Sequence, residues 1–490
     1  MSIRPIGDGA APVVEAEVEL GAAPDAEQDG LVSDNDFEQA YDSIKDKPLG
    51  VRVVVLRGLE RTKHDVVARE LLQLTFANSL EQIKDALLEA HDTLKSLQIF
   101  DVIDCIIDEG PLESGMETCT VTVTCVEKGR LNMHLGTYVQ GSEGQGEAAV
   151  SFTNVLGYAE SLTFSGQYGT ASSSEFSATL AKQRPWAKPV SVELQLLQQF
   201  TNFQKWSSFS ELLRGGIVSL HSQDHAHSLS YELAWRSLTD ASVKASPAVR
   251  DQLGGSLKSA LRYTFRHDTL DDPMFPLQGY ALRSTSELGG LWPGMNVARY
   301  ARQHLWGQVV LPLGESAALA LTAEAGLLLP LAARPACMAT CITDRFFLGG
   351  VSNGLQGFSF KGAGPTDRRR TDSGFEADSS ARRHDALGGD LFGSAMAALR
   401  FQLPVPTLAN LGIYGHAFVS SGSSVLVGGT NKSTQALLQD FGAGIRWTVG
   451  VGLVWPTAVG QLEVNLCRVM SARSRDQYRH GVHLGFGPRG

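Results

Sequence analysis

The sequence predicts an all-β transmembrane barrel of about 16 antiparallel strands over residues 129–490, preceded by one small α/β domain of β-α-α-β-β order. From Leu131 to Phe486, segments of roughly ten residues alternate in hydrophobicity between turn signals. Charged residues make up only 19% of the chain, yet its mean hydropathy is -0.06, so polar and apolar residues are interleaved. A soluble sandwich would also alternate, but it seldom needs about sixteen strands in one uninterrupted run.

Residues 1–48 are predicted to be a disordered acidic N-terminal tail. Between Asp8 and Asp46 there are twelve acidic side chains against only Arg4 and Lys45, which accounts for the whole net charge of -10. The remainder is balanced, so the charge indicates no nucleic-acid surface. The tail lacks a basic region followed by an apolar core, so we expect no secretory signal. Its Ala, Gly, Pro and acidic content is typical of a solvated segment.

Residues 49–128 have the pattern of a two-layer α/β domain. The predicted elements are a strand at Val51–Leu56, a helix capped by Thr62, a second helix from Ser79 to about Leu97, and strands at Phe100–Ile107 and Cys119–Val126. Both helix starts have the spacing of an N-cap followed by a polar partner three residues later. The order resembles a polypeptide-transport-associated (POTRA) domain, and a generic α+β module fits nearly as well.

The barrel segments present one apolar and one polar face, and Arg236 is an example of a charged residue between apolar neighbours. The most apolar stretch, Ala317–Ala333, is not a membrane helix, because Glu324 lies at its middle and Pro330 near its end. As a strand, it directs Glu324 into the lumen. We count it as the eleventh barrel strand.

A glycine-rich segment after this strand is the most informative motif of the chain. Its residues are Gly349, Gly350, Leu355, Gln356, Gly357 and Phe358. The glycines permit positive φ and close backbone packing, and Phe358 offers a large apolar anchor. The segment resembles the inward-folded sixth loop of the BamA-type outer-membrane β-barrel assembly superfamily (bacterial surface antigen family), which has an arginine where this chain has Gln356. A glycine-rich turn that only connects two strands is the alternative interpretation.

The resemblance implies that residues 332–390 form an inward-folded loop between strands eleven and twelve. In family members the arginine is expected to contact a carboxylate in the lumen, whereas glutamine forms hydrogen bonds without charge. We therefore expect a loop that packs through Phe358 and its glycines, is held by neutral hydrogen bonds, and is more mobile than one locked by arginine. The mixed charges between Asp367 and Asp385 are expected to form a solvated insertion.

Three other segments match the same family: a proline-rich hairpin, the start of the twelfth strand, and the mitochondrial β-signal of the last strand. Their residues are, in that order, Asp272, Pro273, Pro276 and Gly279; Gly388, Gly389 and Asp390; and Arg479, Gly481, Leu484 and Phe486. Turn chemistry alone also explains the first match. Any amphipathic terminal strand often meets the pattern of the third.

The resemblance covers residues 50–487. One POTRA-like domain, no secretory signal and the β-signal point, within the family, to the central barrel subunit of the mitochondrial sorting and assembly machinery. Such a subunit would insert β-barrel precursors into the mitochondrial outer membrane through a lateral seam between its first and last strands, with the POTRA-like domain facing the intermembrane space. The implied partners are barrel precursors, peripheral subunits and membrane lipids, without nucleic acid. The alternatives are a chloroplast outer-envelope relative for barrel assembly or import, and a simple metabolite pore.

The sequence indicates no catalytic, cofactor or metal site. No carboxylate pair stands out, so an enzyme is not expected. His221, Asp224, His225 and His227 are interpreted as polar residues at a strand end, because no full set of metal ligands is evident. The six cysteines are too few and too scattered for a disulfide framework.

Overall fold

Sixteen antiparallel strands form one sheet in chain order in the computed structural model, and a separate four-stranded sheet precedes them. The structure describes residues 13–15, 48–110, 117–140, 143–240, 243–272, 275–294, 297–314, 316–331, 340–350, 355–370, 384–405, 407–408, 411–427, 433–457 and 460–488. The chain divides into two compact units. The first comprises Met1–Met133, Val150–Thr163 and Thr179–Val192, and the second comprises His134–Ala149, Phe164–Ala178 and Glu193–Gly490.

The α/β domain belongs to the first unit. Its strands are β1 (Val13–Glu15), β2 (Leu49–Arg57), β3 (Phe100–Glu109) and β4 (Glu117–Glu127), in the sheet order β1-β2-β4-β3. Its helical segments are α1 (His64–Glu70), a 3-10 turn at Leu72–Phe76, and α2 (Leu80–Ser96). Strand β1 lies in the segment predicted to be disordered and pairs in parallel with β2, Val13 beside Val53. The sequence analysis missed this edge strand, in which valines of high β-propensity lie side by side.

Capping differs between the two helices. Ser79 Oγ accepts a hydrogen bond from the Gln82 backbone at 3.3 Å, as predicted for α2. The cap predicted at Thr62 is wrong, because the next residue, Lys63, holds the N-cap position and makes no side-chain cap bond. Thr62 Oγ1 instead donates to the Glu127 carboxylate at 2.6 Å. The helices and the sheet share one apolar core, which includes Val54, Leu56, Val67, Leu74, Ile83, Leu94, Val121 and Val123.

The large sheet confirms the predicted count of sixteen barrel strands. In order they are β5 (Leu131–Gln140), β6 (Glu143–Thr153), β7 (Glu160–Gly169), β8 (Ser174–Gln183), β9 (Val190–Asn202), β10 (Ser210–Ser222), β11 (His227–Thr239), β12 (Gly254–Asp268), β13 (Gly279–Gly289), β14 (Tyr300–Pro312), β15 (Ala317–Pro330), β18 (Leu391–Gln402), β19 (Tyr414–Val425), β20 (Arg446–Pro456), β21 (Gly460–Ser471) and β22 (Gly481–Pro488). Between β15 and β18, the short strands β16 (Thr366–Arg368) and β17 (His384–Ala386) pair with each other.

Short helical segments interrupt several connections of the barrel. They are 3-10 turns at Pro185–Ala187 and Ile342–Asp344 and the helices α3 (Gln204–Ser207), α4 (Pro247–Arg250) and α5 (Thr434–Ala443). Among the described residues, no helix has both the length and the apolar character needed to cross a membrane.

The predicted alternation of faces is evident in β15, which is the eleventh barrel strand as counted from the sequence. Leu321 and Leu327 are exposed, while Leu328 is fully buried. Glu324 lies on the opposite side of the strand from the exposed leucines and contacts His304 Nε2 of β14 at 2.7 Å. One face of the sheet is therefore apolar and outward, and the other carries the polar groups that surround the loop described next.

Candidate functional site

The loop between β15 and β18 carries the glycine motif, and its described residues are 340–350, 355–370 and 384–390. Gly349 and Gly350 have φ of +109° and +101°, in the region that favours glycine. A Cβ atom on Gly349 would lie 2.6 Å from the Ser359 carbonyl oxygen. Gly357, with φ of +84°, faces the side chain of Val469 in β21, which a Cβ would meet at 3.1 Å. The motif glycines are thus set by backbone conformation and by contact with the sheet.

Apolar side chains of the loop pack against the inner face of the sheet. The cluster combines Phe346, Leu348, Leu355, Phe358 and Ala363 of the loop with Tyr300, Leu328, Phe392 and Val469 of four strands. Leu348 and Leu355 are fully buried, and Phe358 is 2% exposed. The burial of these large side chains is favourable by about 1.5–3 kcal/mol each, so this cluster is the main apolar contact of the loop.

Gln356 is buried and makes a neutral hydrogen bond to the sheet. Its Oε1 accepts from Asn465 Nδ2 of β21 at 2.9 Å. The same Asn465 amide nitrogen lies 3.1 Å from Glu463 Oε2, and its Oδ1 lies 2.5 Å from His416 Nε2. Glutamine therefore reaches a carboxylate only through a neutral amide, which is the kind of contact expected from its replacement of arginine. Its role in holding the loop stays a prediction.

An ion pair that the sequence analysis did not predict links the loop to β11. Arg236 Nη1 and Nη2 lie 2.9 and 2.8 Å from the two carboxylate oxygens of Asp344. Arg236 Nε also lies 3.0 Å from Glu211 of β10. Burial alone would raise the pKa of Asp344, but the Arg236 guanidinium outweighs burial and holds that pKa below its usual value. Alternation along β11 predicts that the Arg236 side chain points into the lumen. No rule based on sequence spacing indicates which carboxylate of the loop it contacts.

Asp390, at the predicted start of strand twelve, organises the base of the loop. It is fully buried and accepts from Thr340 Oγ1 at 2.5 Å and from the Val427 backbone at 2.9 Å. Arg345 Nε lies 3.7 Å from the same carboxylate. Backbone bonds of 3.0 and 2.7 Å join Phe346 to Gly389, and Gly388 has φ of +68°. The three residues of this motif thus tie both ends of the described loop together.

The mixed-charge stretch is not simply the solvated insertion that its composition predicts. Asp385 is fully buried and accepts from Ser208 Oγ at 2.7 Å, from the Ser246 backbone at 2.8 Å and from Arg369 Nε at 2.6 Å. Ser208 and Ser246 come from two other connections of the barrel, β9–β10 and β11–β12, whereas Arg369 belongs to the same stretch. Charge density alone could not reveal the two serine contacts, because these partners are more than 100 residues away in sequence. The residues 371–383 of this stretch lie outside the described part of the chain.

The loop also pairs with the segment directly before the last strand. The Ser359 backbone donates to Gln477 at 2.9 Å, Gln477 donates to Gly362 at 2.8 Å, and Arg479 donates to Gly357 at 3.0 Å. Arg446 holds this segment through two contacts of 2.8 and 2.9 Å to its residue Asp476. Arg479 of the predicted β-signal therefore uses its backbone to bind the glycine motif.

The other β-signal residues lie in β22. Gly481 has φ of +119° and open space around its Cα. Leu484 is 74% exposed, on the apolar face of the strand. Phe486 pairs through its backbone with Leu462.

Comparison with known proteins identifies the family. Residues 154–489 match the model of the Omp85 superfamily domain. This chain belongs to the Omp85 superfamily. Its similar relatives include sorting and assembly machinery component 50 homolog B of Xenopus laevis, 29% identical over 465 residues that cover 92% of this chain and 93% of the relative. The Homo sapiens homolog is 28% identical over 464 residues, or 92% of both chains.

A solved structure supports the same Omp85 architecture. The crystal structure of Haemophilus ducreyi BamA lacking POTRA domains 1–3 matches with a TM-score of 0.71 and 15% identity, over 90% of this chain and 84% of that one. At this identity the likeness concerns the fold. The predicted all-β barrel with a small α/β domain is therefore confirmed.

The hairpin motif of this Omp85 chain lies apart from the loop. The hairpin joins β12 to β13, the eighth and ninth strands of the large sheet, and the loop joins β15 to β18, the eleventh and twelfth. Successive connections of an antiparallel sheet alternate between its two ends, so the hairpin and the loop lie at opposite ends. Asp272 Oδ1 accepts from the Phe275 backbone at 2.8 Å, and Gly279 has φ of +105°. Arg400 Nη1 donates to the Pro276 carbonyl at 3.0 Å. Pro273 lies outside the described residues, so its part in the motif stays a prediction.

The remaining polar candidates are the residues near the start of β11 that could suggest a metal. Within the described ranges, no group of three or more His, Cys, Asp and Glu side chains is placed to hold a metal ion. His227 Nδ1 contacts Tyr263 Oη at 2.8 Å, so this strand-end histidine has an ordinary polar partner. The Omp85 site is thus built from backbone pairing, aromatic packing and ion pairs.

Proposed function

We infer that this chain assembles β-barrel precursor proteins in the mitochondrial outer membrane, as the central barrel subunit of a sorting and assembly machinery. The Omp85 match, the sixteen-stranded sheet and relatives named for that machinery over 92% of this chain support the inference. Assembly of this kind requires strand pairing and membrane placement, so it needs no cofactor.

The proposed mechanism uses a lateral seam between β5 and β22, the strands at the two ends of the sheet order. Backbone groups without a partner are costly in lipid, by several kcal/mol each, so a precursor strand that pairs with a seam edge is strongly stabilised. The observation that carries this proposal is the backbone pairing of residues 357–362 with 477–479, immediately before β22. Through this contact the loop acts on the strand that must release its neighbour for a precursor strand to enter.

The α/β domain is proposed to receive precursors as a POTRA-like module. Strand β3 ends its sheet, so one of its edges is available for strand addition, and Val102 and Ile106 on it are exposed. Because the number of barrel strands is even, the start of the first strand and the end of the last strand lie on the same side of the membrane. We propose that this side, with the α/β domain, faces the intermembrane space, and that peripheral subunits and lipids complete the set of partners.

Crosslinking from single cysteines to an arrested, radiolabelled barrel precursor tests the seam, in a background without the native cysteines. Leu135→Cys in β5 and Leu484→Cys in β22 both replace outward side chains, 81% and 74% exposed. Val309→Cys in β14 is the matched control, since Val309 is also outward and exposed but lies far from both seam strands in sheet order. We expect crosslinks from both seam positions and none from the control.

Precursor contacts to neither seam strand, or equal contacts to all three, reject the seam mechanism. Fractionation of cells that express the tagged chain tests which membrane contains it, since recovery in a chloroplast envelope contradicts the mitochondrial assignment.

Depletion of this protein distinguishes barrel assembly from a simple metabolite pore. Full retention of barrel-precursor assembly after depletion contradicts the proposed function.

A further inference from the structure

A cavity of about 600 Å³ lies in the second unit, beside the loop. Its wall includes eight aromatic rings, among them those of Phe203, Trp206, Phe346, Phe347, Phe360 and Phe392. Small-molecule sites have this size, and here polar and charged side chains form about as much of the wall as apolar ones do. The Omp85 function proposed above does not use this space.

Lys361 of the loop is one of three cationic groups in this cavity, with Arg302 and Arg345. Its Nζ lies 4.0 Å from the ring centroids of both Phe203 and Phe347 and 5.7 Å from that of Phe360. Burial lowers the pKa of Lys361 to about 7, which the Glu211 carboxylate opposes only in part. Within the part of the chain that the structure describes, no carboxylate lies within 4.0 Å of this ammonium group. The rings stabilise the cation, but they do not neutralise it.

Most of the other charged groups in the cavity wall have a charged or histidine partner. These pairs are Glu211 with Arg236 at 3.0 Å, Glu324 with His304 at 2.7 Å, Arg345 with Asp390 at 3.7 Å, and Arg302 with Glu287 at 3.9 Å. Glu175 instead contacts the neutral amide of Gln199, at 3.1 Å. The contact of Arg302 is the longest, and Arg302 Nε is buried without a hydrogen-bond partner in the described chain. Among the described residues, Lys361 is therefore without an ion pair and Arg302 Nε is without a hydrogen bond, while Glu175 has a neutral partner only.

We propose that this cavity binds a small amphiphile with a single anionic group, which pairs with Lys361 while its apolar body lies on the aromatic wall. An anion beside an ammonium group that has only ring contacts gains a charge-assisted hydrogen bond, at a site with little water. A single-chain acid and an anionic phospholipid share this chemistry. A purely polar ligand does not fit, because it would leave the aromatic rings of the wall without an apolar partner.

The test uses the full chain in nanodiscs of zwitterionic lipid and three photoactivatable probes: a diazirine-bearing alkyl sulfonate, the matching neutral alcohol, and a diazirine-bearing phosphatidylglycerol. The sulfonate stays charged at every pH used. We expect saturable labelling of the cavity wall by the sulfonate or the phosphatidylglycerol, and not by the alcohol. Labelling by the first identifies a single-chain acid, and labelling by the second alone identifies a phospholipid.

Two variants and one control isolate the lysine. We expect Lys361→Gln to weaken apparent affinity by roughly tenfold or more, the loss of one charge-assisted contact in a dry site. Lys361→Arg retains the charge and should retain binding. Lys205→Gln is the matched control, because Lys205 lies 5.1 Å from the Trp206 ring but is exposed and not part of the wall. It should leave labelling unchanged.

The pH dependence of ligand affinity distinguishes a direct charge contact of Lys361 from a purely structural role of this residue. Lys361 is protonated below its pKa of about 7, so affinity should fall by roughly tenfold or more from about pH 6 to about pH 8.5, whereas Lys361→Arg should stay flat. The Arg variant also keeps the test valid if the Gln variant fails to fold. Equal labelling by the alcohol, unchanged affinity in Lys361→Gln, or the same pH profile in Lys361→Arg overturns the proposal.

Discussion

Arg236 of β11 forms a bidentate ion pair with Asp344 of the loop, with two hydrogen bonds of 2.9 and 2.8 Å. The two side chains are 3% and 7% exposed. In this chain the charged anchor of the inward loop is therefore not at the Gln356 position. It lies on a different strand and at a loop position twelve residues earlier, in a 3-10 turn. The glycine motif and the ion pair hold separate parts of the loop.

Removal of the Asp344 charge should loosen the loop. Asp344→Asn leaves the buried Arg236 without one of its carboxylates, and breaking a buried pair from one side typically costs about 3–5 kcal/mol. Glu211 still faces Arg236, so the loss should fall at the lower end of this range. Protease accessibility of the loop and the thermal midpoint measure it. Asp268→Asn, in an exposed pair with Arg266, is the control and should change stability by less than about 1 kcal/mol. Equal effects of the two substitutions contradict the anchor.

Acid should release the same anchor. Arg236 holds the folded-state pKa of Asp344 below its usual value, so this contribution to stability is present above the unfolded pKa of about 3.9 and is lost as pH falls through the folded pKa. The stability difference between the wild type and Asp344→Asn, from thermal midpoints, should be constant near neutral pH and shrink below about pH 4. A difference that grows as the pH falls would falsify this assignment.

Arginine at position 356 should tighten the loop. Gln356 contacts Asn465, which lies 3.1 Å from Glu463, so the longer arginine has a carboxylate close to its reach. A charge-assisted hydrogen bond is worth about 1.5–3 kcal/mol. Amide hydrogen exchange over residues 355–362 should slow in Gln356→Arg and accelerate in Gln356→Leu, which removes the bond between the loop and the Asn465 amide and leaves that amide only Glu463 as an acceptor. Faster exchange in the arginine variant indicates that the lumen at this point cannot accommodate the larger side chain.

Gly357 should tolerate alanine worse than Gly412. Both have positive φ, +84° and +70°, so alanine is strained by roughly 1–2 kcal/mol at each. Only Gly357 adds a packing conflict, with the Val469 side chain 3.1 Å from the new Cβ, whereas Gly412 faces open space. The thermal midpoint should fall further in Gly357→Ala than in Gly412→Ala. Equal shifts imply that backbone strain alone makes the motif glycine necessary.

The ion pair between Arg446 and Asp476 should stabilise the backbone hydrogen bonds between the loop and the segment before β22, although neither residue contacts the loop in these bonds. Arg446→Ala frees the segment that carries Gln477, so the backbone bonds of Gln477 to Ser359 and Gly362 should weaken together. Hydrogen exchange at Ser359 and Gln477 should rise in parallel, by roughly tenfold or more for a loss of over 1.4 kcal/mol. Arg473→Ala, which removes an exposed side chain of the same connection, is the control. A rise at Gln477 without one at Ser359 shows that the two segments are independent.

The chemistry of neighbouring residues was sufficient to predict individual strands and helices. Period-two alternation with Glu324 at the centre of an apolar run identified β15 as a strand, because a membrane-spanning helix would place that carboxylate in the middle of the bilayer, whereas a barrel strand directs it to the lumen. Ser79 and Gln82 predicted the start of α2 because capping involves only near neighbours. The same reasoning failed at Thr62, whose hydroxyl found a partner 65 residues away in Glu127. Short-range rules do not see such competition.

The sequence by itself determined the barrel, its strand count and the position of the glycine loop, because alternation and positive-φ glycines are properties of neighbouring residues. Only the tertiary structure decided which groups hold that loop. The pairing of Arg236 with Asp344, the burial of Asp385, and the contact of Gly357 with Arg479 each join residues more than 100 positions apart. Their distances depend on the register and closure of the whole sheet, so the partner of a charged residue inside a barrel is fixed by strand geometry and not by spacing along the chain.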